Sequence, residues 1–234
     1  MQNKKWSQLN IFFLYCFLFF YPIITNADTH KEFWPSVNVT GALKNHPQIL
    51  YVVNPQGRIA LAPEALHQLF ADIGIGYQYN PFVSYWLGYT QTTNRVTTIT
   101  GMDKVNRVWE QLIYDAMQAP RFRMSFRTRL EEATQKTVEG LEVRLRQKIH
   151  LLFPIENFKY ITPEIWNELF LNVTRHTWIQ DNSVVDQNRF FVGILITPSP
   201  IFSFDIGYLD QYIVKNGGNA NNNVFVFNVN IHVS

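Results

Sequence analysis

Apolar and polar residues alternate with period two along most of this chain. In its last segment Phe225, Phe227, Val229, Ile231 and Val233 share one face, with Asn228, Asn230 and His232 on the other. Phe202, Phe204, Ile206 and Tyr208 face away from Ser203, Asp205, Gly207 and Gln211. Val83, Tyr85, Leu87 and Tyr89 alternate with Ser84, Trp86, Gly88 and Thr90, and Ile73, Ile75, Tyr77 and Tyr79 with Asp72, Gly74, Gly76 and Gln78. This periodicity predicts strands with one apolar face. The segments repeat from residue 67 onward, separated by Asn80-Pro81, Ala119-Pro120, the Thr197-Pro198-Ser199-Pro200 run and the stretch from Asn216 to Asn223, all turn chemistry.

In the middle of the chain the second face is charged. Phe122, Met124, Phe126, Thr128 and Leu130 alternate with Arg123, Ser125, Arg127, Arg129 and Glu131. Leu141, Val143, Leu145, Gln147, Ile149 and Leu151 alternate with Glu142, Arg144, Arg146, Lys148 and His150. One uncharged face and one ionic face suit an all-β fold, an antiparallel up-and-down transmembrane β-barrel, whose lipid-facing side excludes charge. A soluble antiparallel sheet shows the same alternation. A helical reading also competes: Val105, Val108, Trp109, Leu112, Ile113 and Ala116 fit an amphipathic helix capped by Asp103. Leu141, Leu145, Ile149 and Leu152 fit helical spacing too, and Thr162-Pro163-Glu164 resembles a helix start. The recurrence of strand-like neighbours favours strands throughout.

Short connections near 80–81, 118–121 and 197–200 alternate with longer polar ones near 91–104, 132–139, 174–187 and 214–223. Outer-membrane barrels pair short periplasmic turns with longer outside loops. Eleven candidate segments can be drawn, beginning near 33–43 and 48–62, whereas bacterial single-chain barrels have an even number of strands. Ten strands result if 33–43 is a plug or pre-strand. Twelve result if Asn54-Pro55-Gln56-Gly57 is a turn that splits 48–62, and this turn chemistry favours twelve.

Composition narrows the classes. The 234 residues are 47% hydrophobic, 15% aromatic and 16% charged, with a formal net charge of +2. A mean hydropathy of −0.11 excludes a multi-span helical membrane protein. The small net charge gives no electrostatic ground for a nucleic-acid partner. Lys4 and Lys5, the apolar run from Ile11 to Tyr21, and Thr25-Asn26-Ala27 have the layout of a secretory signal peptide cleaved after Ala27. The expected organisation is therefore a signal over 1–27 and one barrel domain over 28–234. The single cysteine, Cys16, lies in that signal, so the mature chain offers no disulfide, thiolate metal site or cysteine nucleophile. Loss of Lys4 and Lys5 leaves 18 basic against 18 acidic residues.

Several stretches carry a resemblance: Asn106 to Leu112, Arg127 to Glu131, Leu145 to Lys148, Trp166 to Asn172, Asp186 to Phe190, and Gly207-Tyr208-Leu209 with Gln211-Tyr212. In their order and spacing, from about Phe33 to Val233, the chain resembles a family of uncharacterised proteobacterial outer-membrane proteins, catalogued as domain of unknown function twenty-four ninety. The resemblance implies a barrel in the outer membrane of a Gram-negative bacterium and no established activity. The implied partners are outer-membrane lipid, lipopolysaccharide and the barrel-assembly machinery during insertion. Glu131-Glu132-Ala133 lacks a further basic residue often seen in the family, and Val233-Ser234 replaces the terminal aromatic typical of outer-membrane barrels.

The most specific chemistry is a lumen-facing charge ladder, in which Arg123, Arg127, Arg129, Arg144, Arg146 and Lys148 meet Glu131, Glu142, Glu164 and Glu168 across neighbouring strands. Rings of charge select ions in a pore. Paired inward charges in a narrow barrel instead close it, and ten to twelve strands lie near the side-chain-filled end of the size series. The expected role is structural or that of a narrow channel, without enzymatic activity. None of the mature serines sits in a nucleophile motif. His150 and His232 read as polar lining, and His176 and Trp178 lie in an expected outside loop. The spacing of Asp181, Asn182 and Asp186 matches no calcium loop, and no pattern calls for a metal or cofactor. Two alternatives stand beside this reading: an outer-membrane enzyme acting on lipid or lipopolysaccharide, and a soluble periplasmic binding protein of mixed α/β fold. Tyr77, Tyr79, Phe82 and Tyr85 bracket one short turn, and Tyr89, Tyr208 and Tyr212 lie toward the opposite strand ends, as interfacial girdles do.

Overall fold

The computed structural model describes residues 28–62, 64–96, 101–135, 138–174, 183–215 and 218–233. Residues 1–27, where a signal is expected, and His176, Trp178, Asp181 and Asn182 lie outside them. Eleven strands follow in chain order. They are β1 (Asp28–Leu43), β2 (His46–Leu61), β3 (Glu64–Asn80), β4 (Val83–Val96), β5 (Gly101–Ala119) and β6 (Phe122–Gln135). The remainder are β7 (Val138–Leu152), β8 (Ile161–Asn172), β9 (Val185–Ile196), β10 (Phe202–Ile213) and β11 (Ala220–Val233). Each pairs antiparallel with its neighbours in sequence, and β1 meets β11 to close the barrel.

That closure is parallel, running in one register from Asp28↔Ala220 to Gly41↔Val233. An odd number of strands forces this, because the first and last strands of an up-and-down barrel then run the same way. The expectation of an even count, with twelve favoured, is therefore corrected to eleven. Segment 33–43 is a wall strand, not a plug, and no turn forms at Asn54-Pro55-Gln56-Gly57. Pro55 has no N–H, and the β1–β2 ladder is interrupted between Ser36↔Gln56 and Val39↔Val53. Asn54 Nδ2 donates to Val37 O at 3.2 Å across that gap, while Pro55 stays in register with Ala71 on the β3 side. The strand continues through the proline. The parallel seam carries side-chain bonds on its lumen side: Ser36 Oγ donates to Asn228 Oδ1 at 2.6 Å and Asn38 Nδ2 to Asn230 Oδ1 at 3.2 Å. Thr40 Oγ1 lies 3.0 Å from His232 Nδ1.

No helix occurs among the described residues. The helical readings of 105–116, 141–152 and 162–166 are replaced by β5, β7 and β8, and the mixed α/β alternative loses its fold. Closure explains the outcome, since each wall strand satisfies its backbone on both sides and tertiary pairing overrides helical propensity.

The inside of the barrel is filled. Trp34, Phe191, Leu209, Val224 and Val226 form an apolar cluster against which Trp166 packs. Trp166 and Phe191 stack with centroids 5.1 Å apart. Glycines make room for the rings. A Cβ at Gly74 would sit 2.6 Å from Trp109 Cη2, and one at Gly88 would overlap the same ring. Gly76 does this for Trp86, and Gly193 and Gly207 for Phe191. The apolar half of the lumen lies against β1 and β9–β11, and it leaves the wall of β5–β8 to the charges.

Candidate lumen site

Glu131, on β6, is the centre of the charged wall and only 1% exposed. Its Oε1 accepts from Arg146 Nη1 at 2.6 Å, and its Oε2 accepts from Arg144 Nη2 at 2.8 Å and Nε at 3.2 Å. Arg107 Nε lies 3.4 Å and Arg129 Nη1 3.9 Å from the same carboxylate. The register puts them there: Glu131 pairs with Trp109 on β5 and Arg144 on β7, so the inward neighbours on both sides converge on it.

Glu168, 2% exposed on β8, is the second centre. Its Oε1 accepts from Arg127 Nη2 at 2.5 Å and from Arg146 Nε at 2.8 Å. Arg146 thus bridges the two buried carboxylates. Arg144 extends the network to Asp186 Oδ2 at 2.8 Å, and Arg107 to Glu142 Oε2 at 3.6 Å. Asp186 reaches in because the β8–β9 register shifts between Phe170 and Leu171. A buried charge is tolerated when paired and hydrogen-bonded, and removing one partner costs about 3–5 kcal/mol.

Aromatic rings are layered between these guanidiniums. Phe170, fully buried, lies under Arg146 at 4.4 Å, Arg189 at 4.5 Å and Arg144 at 5.0 Å. Arg129 stacks on Trp109 at 3.9 Å and also lies 3.5 Å from Asp72 Oδ2. Trp109 Nε1 donates to Asp72 Oδ1 at 2.8 Å and Thr90 Oγ1 at 3.0 Å, so the ring is fixed by its edge as well as its face.

The other charges on the ladder divide. Lys148 makes no ion pair among the described residues and lies over the Trp166 ring at 3.9 Å. Glu164, buried on β8, is 2.8 Å from His150 Nε2 rather than being held by an arginine. Arg123 is exposed near the short-turn end of β6 and stands apart from the network. His232 is engaged by Thr40 at 3.0 Å and by Ser203 Oγ at 3.4 Å.

Sequence reasoning missed the members that other strands supply. Arg107 and Trp109 sit on β5, where apolar residues occur on both faces, and the alternation there assigned no inward side. Asp72 falls on the polar face of its alternating segment but is a lone charge there, and Arg58 and Arg189, inward cations outside the ion pairs, lie on strands without a ladder to mark them. Phe170 had a readable signal, since it shares an inward face with Glu164 and Glu168 at period two.

No solved structure matches this chain. It is 22% identical over 185 residues to an uncharacterized protein of Methylorubrum extorquens, covering 77% of each chain. The matching family carries the description "Protein of unknown function (DUF2490)" and spans residues 31–222, which contain every charged member of the lumen network. The chain belongs to that family.

Proposed function

We propose that this protein is an integral barrel of the Gram-negative outer membrane, exported by its signal segment and inserted by the barrel-assembly machinery. Its role is structural, with the lumen closed by its own ion pairs. The observation that carries the reading is an inverted distribution of polarity. Glu131, Glu168, Glu142 and Arg129 are buried inside, while Leu69, Ile73, Ile75, Leu87, Val192 and Phe225 are exposed on the outside. Ile75 is 56% exposed in the middle of a strand. In water, each such residue forgoes about 1.5–3 kcal/mol of burial, and an extensive apolar exterior of this kind, interrupted at mid-strand by Glu110 between Leu87 and Leu130, marks an interaction with another apolar phase.

The rims support the same reading. Tyr79 (68% exposed), Phe82, Tyr85, Phe158, Tyr160 and Phe202 surround the short-turn end. Higher on the wall, Tyr89 OH donates to Asn106 Oδ1 at 2.6 Å, and Tyr208 OH donates to Asn223. Aromatic residues with a polar tip at two levels match the two interfaces of a bilayer, whose contacts here are lipid and lipopolysaccharide. The strands, from 12 to 19 residues, exceed the roughly 9–11 residues that cross a hydrocarbon core.

Fractionation tests the location. After washing of envelopes with carbonate and urea, the protein is expected to stay in the outer-membrane fraction until detergent is added. Release without detergent contradicts the proposal.

A further inference from the structure

Two lumen arginines stand apart from the ion-pair network. Arg58, from β2, stacks on Trp34 at 3.9 Å and on Phe70 at 4.3 Å. Arg189, from β9, lies 5.2 Å from the same Trp34 ring and 4.5 Å from Phe170. The two guanidiniums reach one indole from strands that are not neighbours in the wall. Neither has a carboxylate within 4.0 Å among the described residues. The acids on the same side of the lumen are engaged: Glu168 with Arg127 and Arg146, Asp186 with Arg144, and Glu32 with Trp34 Nε1 at 2.6 Å. The strongest charge acting on Arg58 is the cation Arg189, followed by the carboxylate of Glu32 and then the cations Arg146 and Arg144. The Nε of Arg58 and of Arg189 is buried without a hydrogen-bond partner, while each side chain as a whole keeps partial exposure to the lumen.

Arg58 Nη1 already donates to Gln68 Oε1 at 2.8 Å. Stacking fixes the plane of each guanidinium and leaves its remaining N–H groups free to donate. Two such edges, held by one ring in a locally cationic place, form a clamp for an anion with several oxygens. Arg58 is three residues from the end of β2 at Leu61, and Arg189 four from the start of β9 at Val185, so the clamp faces the long-loop mouth. We infer that Arg58 and Arg189, ordered by Trp34, are a binding site for a phosphate-class oxyanion entering from that mouth. The site does not depend on the membrane assignment, since the same groups converge whatever surrounds the barrel.

Equilibrium dialysis of the folded, detergent-solubilised protein against radiolabelled inorganic phosphate tests the inference. Saturable binding of one phosphate per chain is expected, weakened about tenfold or more by Arg58→Gln or Arg189→Gln. Arg121→Gln, which breaks an exposed pair with Glu156 at the opposite rim, should leave binding unchanged. Each variant is checked for the folded band in unheated SDS gels, and Arg58→Lys and Arg189→Lys, which keep the charge but lose the fork, serve if the glutamine variants do not fold. Displacement of the label by glucosamine 1-phosphate at matching concentration indicates a sugar phosphate ester as the natural source, and retention indicates the free ion. Absence of saturable binding, or binding equal in wild type and folded variants at both positions, overturns the inference.

Discussion

The guanidinium carbon of Arg129 lies 3.9 Å from the centroid of Trp109, on a ring that also covers the backbone of Gly74 and Gly88. The wall has no side chains beneath the indole because those two positions have none. Adding one is expected to cost about 1–3 kcal/mol by overpacking. Gly88→Ala should lower stability to urea in lipid vesicles by that amount, and most of the loss should vanish when Trp109→Leu is present. An equal loss in both backgrounds contradicts the packing argument.

Glu131 gathers Arg144 and Arg146 by direct hydrogen bonds, with Arg107 and Arg129 within 4 Å. Glu131→Ala leaves these cations facing each other in a buried space, and a loss of about 3–5 kcal/mol is expected in the same unfolding assay. Arg123→Ala, on the exposed rim, should change stability by no more than about 0.5 kcal/mol. If the two substitutions have similar effects, the network does not hold the lumen together.

The parallel seam makes a geometric prediction. Ser36 and Asn228 side chains touch at 2.6 Å across β1 and β11, and residues 28–234 contain no native cysteine to compete. Ser36→Cys with Asn228→Cys should oxidise to a cross-link in the folded protein. Thr40→Cys with Asn228→Cys, four residues out of register, should not. Cross-linking of the second pair but not the first contradicts the eleven-strand closure.

The face of each strand was readable wherever the two faces differ in charge. On β6 and β7 every inward position from Arg127 to Glu131 and from Glu142 to Lys148 is ionic and the outward positions are not, so period two is unambiguous. On β5 the inward Val105, Trp109 and Ile113 are as apolar as the outward Val108 and Leu112, and helix and strand fit equally well. The partner of each strand end was not readable, because alternation defines faces and leaves pairing open. The parallel meeting of β1 with β11 therefore had no signature, and Asn54-Pro55 read as a turn because the substitution of Asn54 Nδ2 into the gap depends on β1 lying alongside. The cation–aromatic layers were hidden for the same reason. Trp34 and Arg189 are far apart in sequence and on strands that are not neighbours, and Phe170 reaches Arg146 and Arg189 only once β7, β8 and β9 are paired.

Planar-bilayer recording of the purified, folded protein tests the closed lumen most directly. With Glu131, Phe170 and Trp109 buried across the barrel, no ohmic conductance steps are expected on insertion, in symmetric salt and at either polarity. Stable steps from the wild-type protein, altered in size or ion preference by Arg144→Gln with Arg146→Gln, would show an open path lined by the same residues and contradict the account.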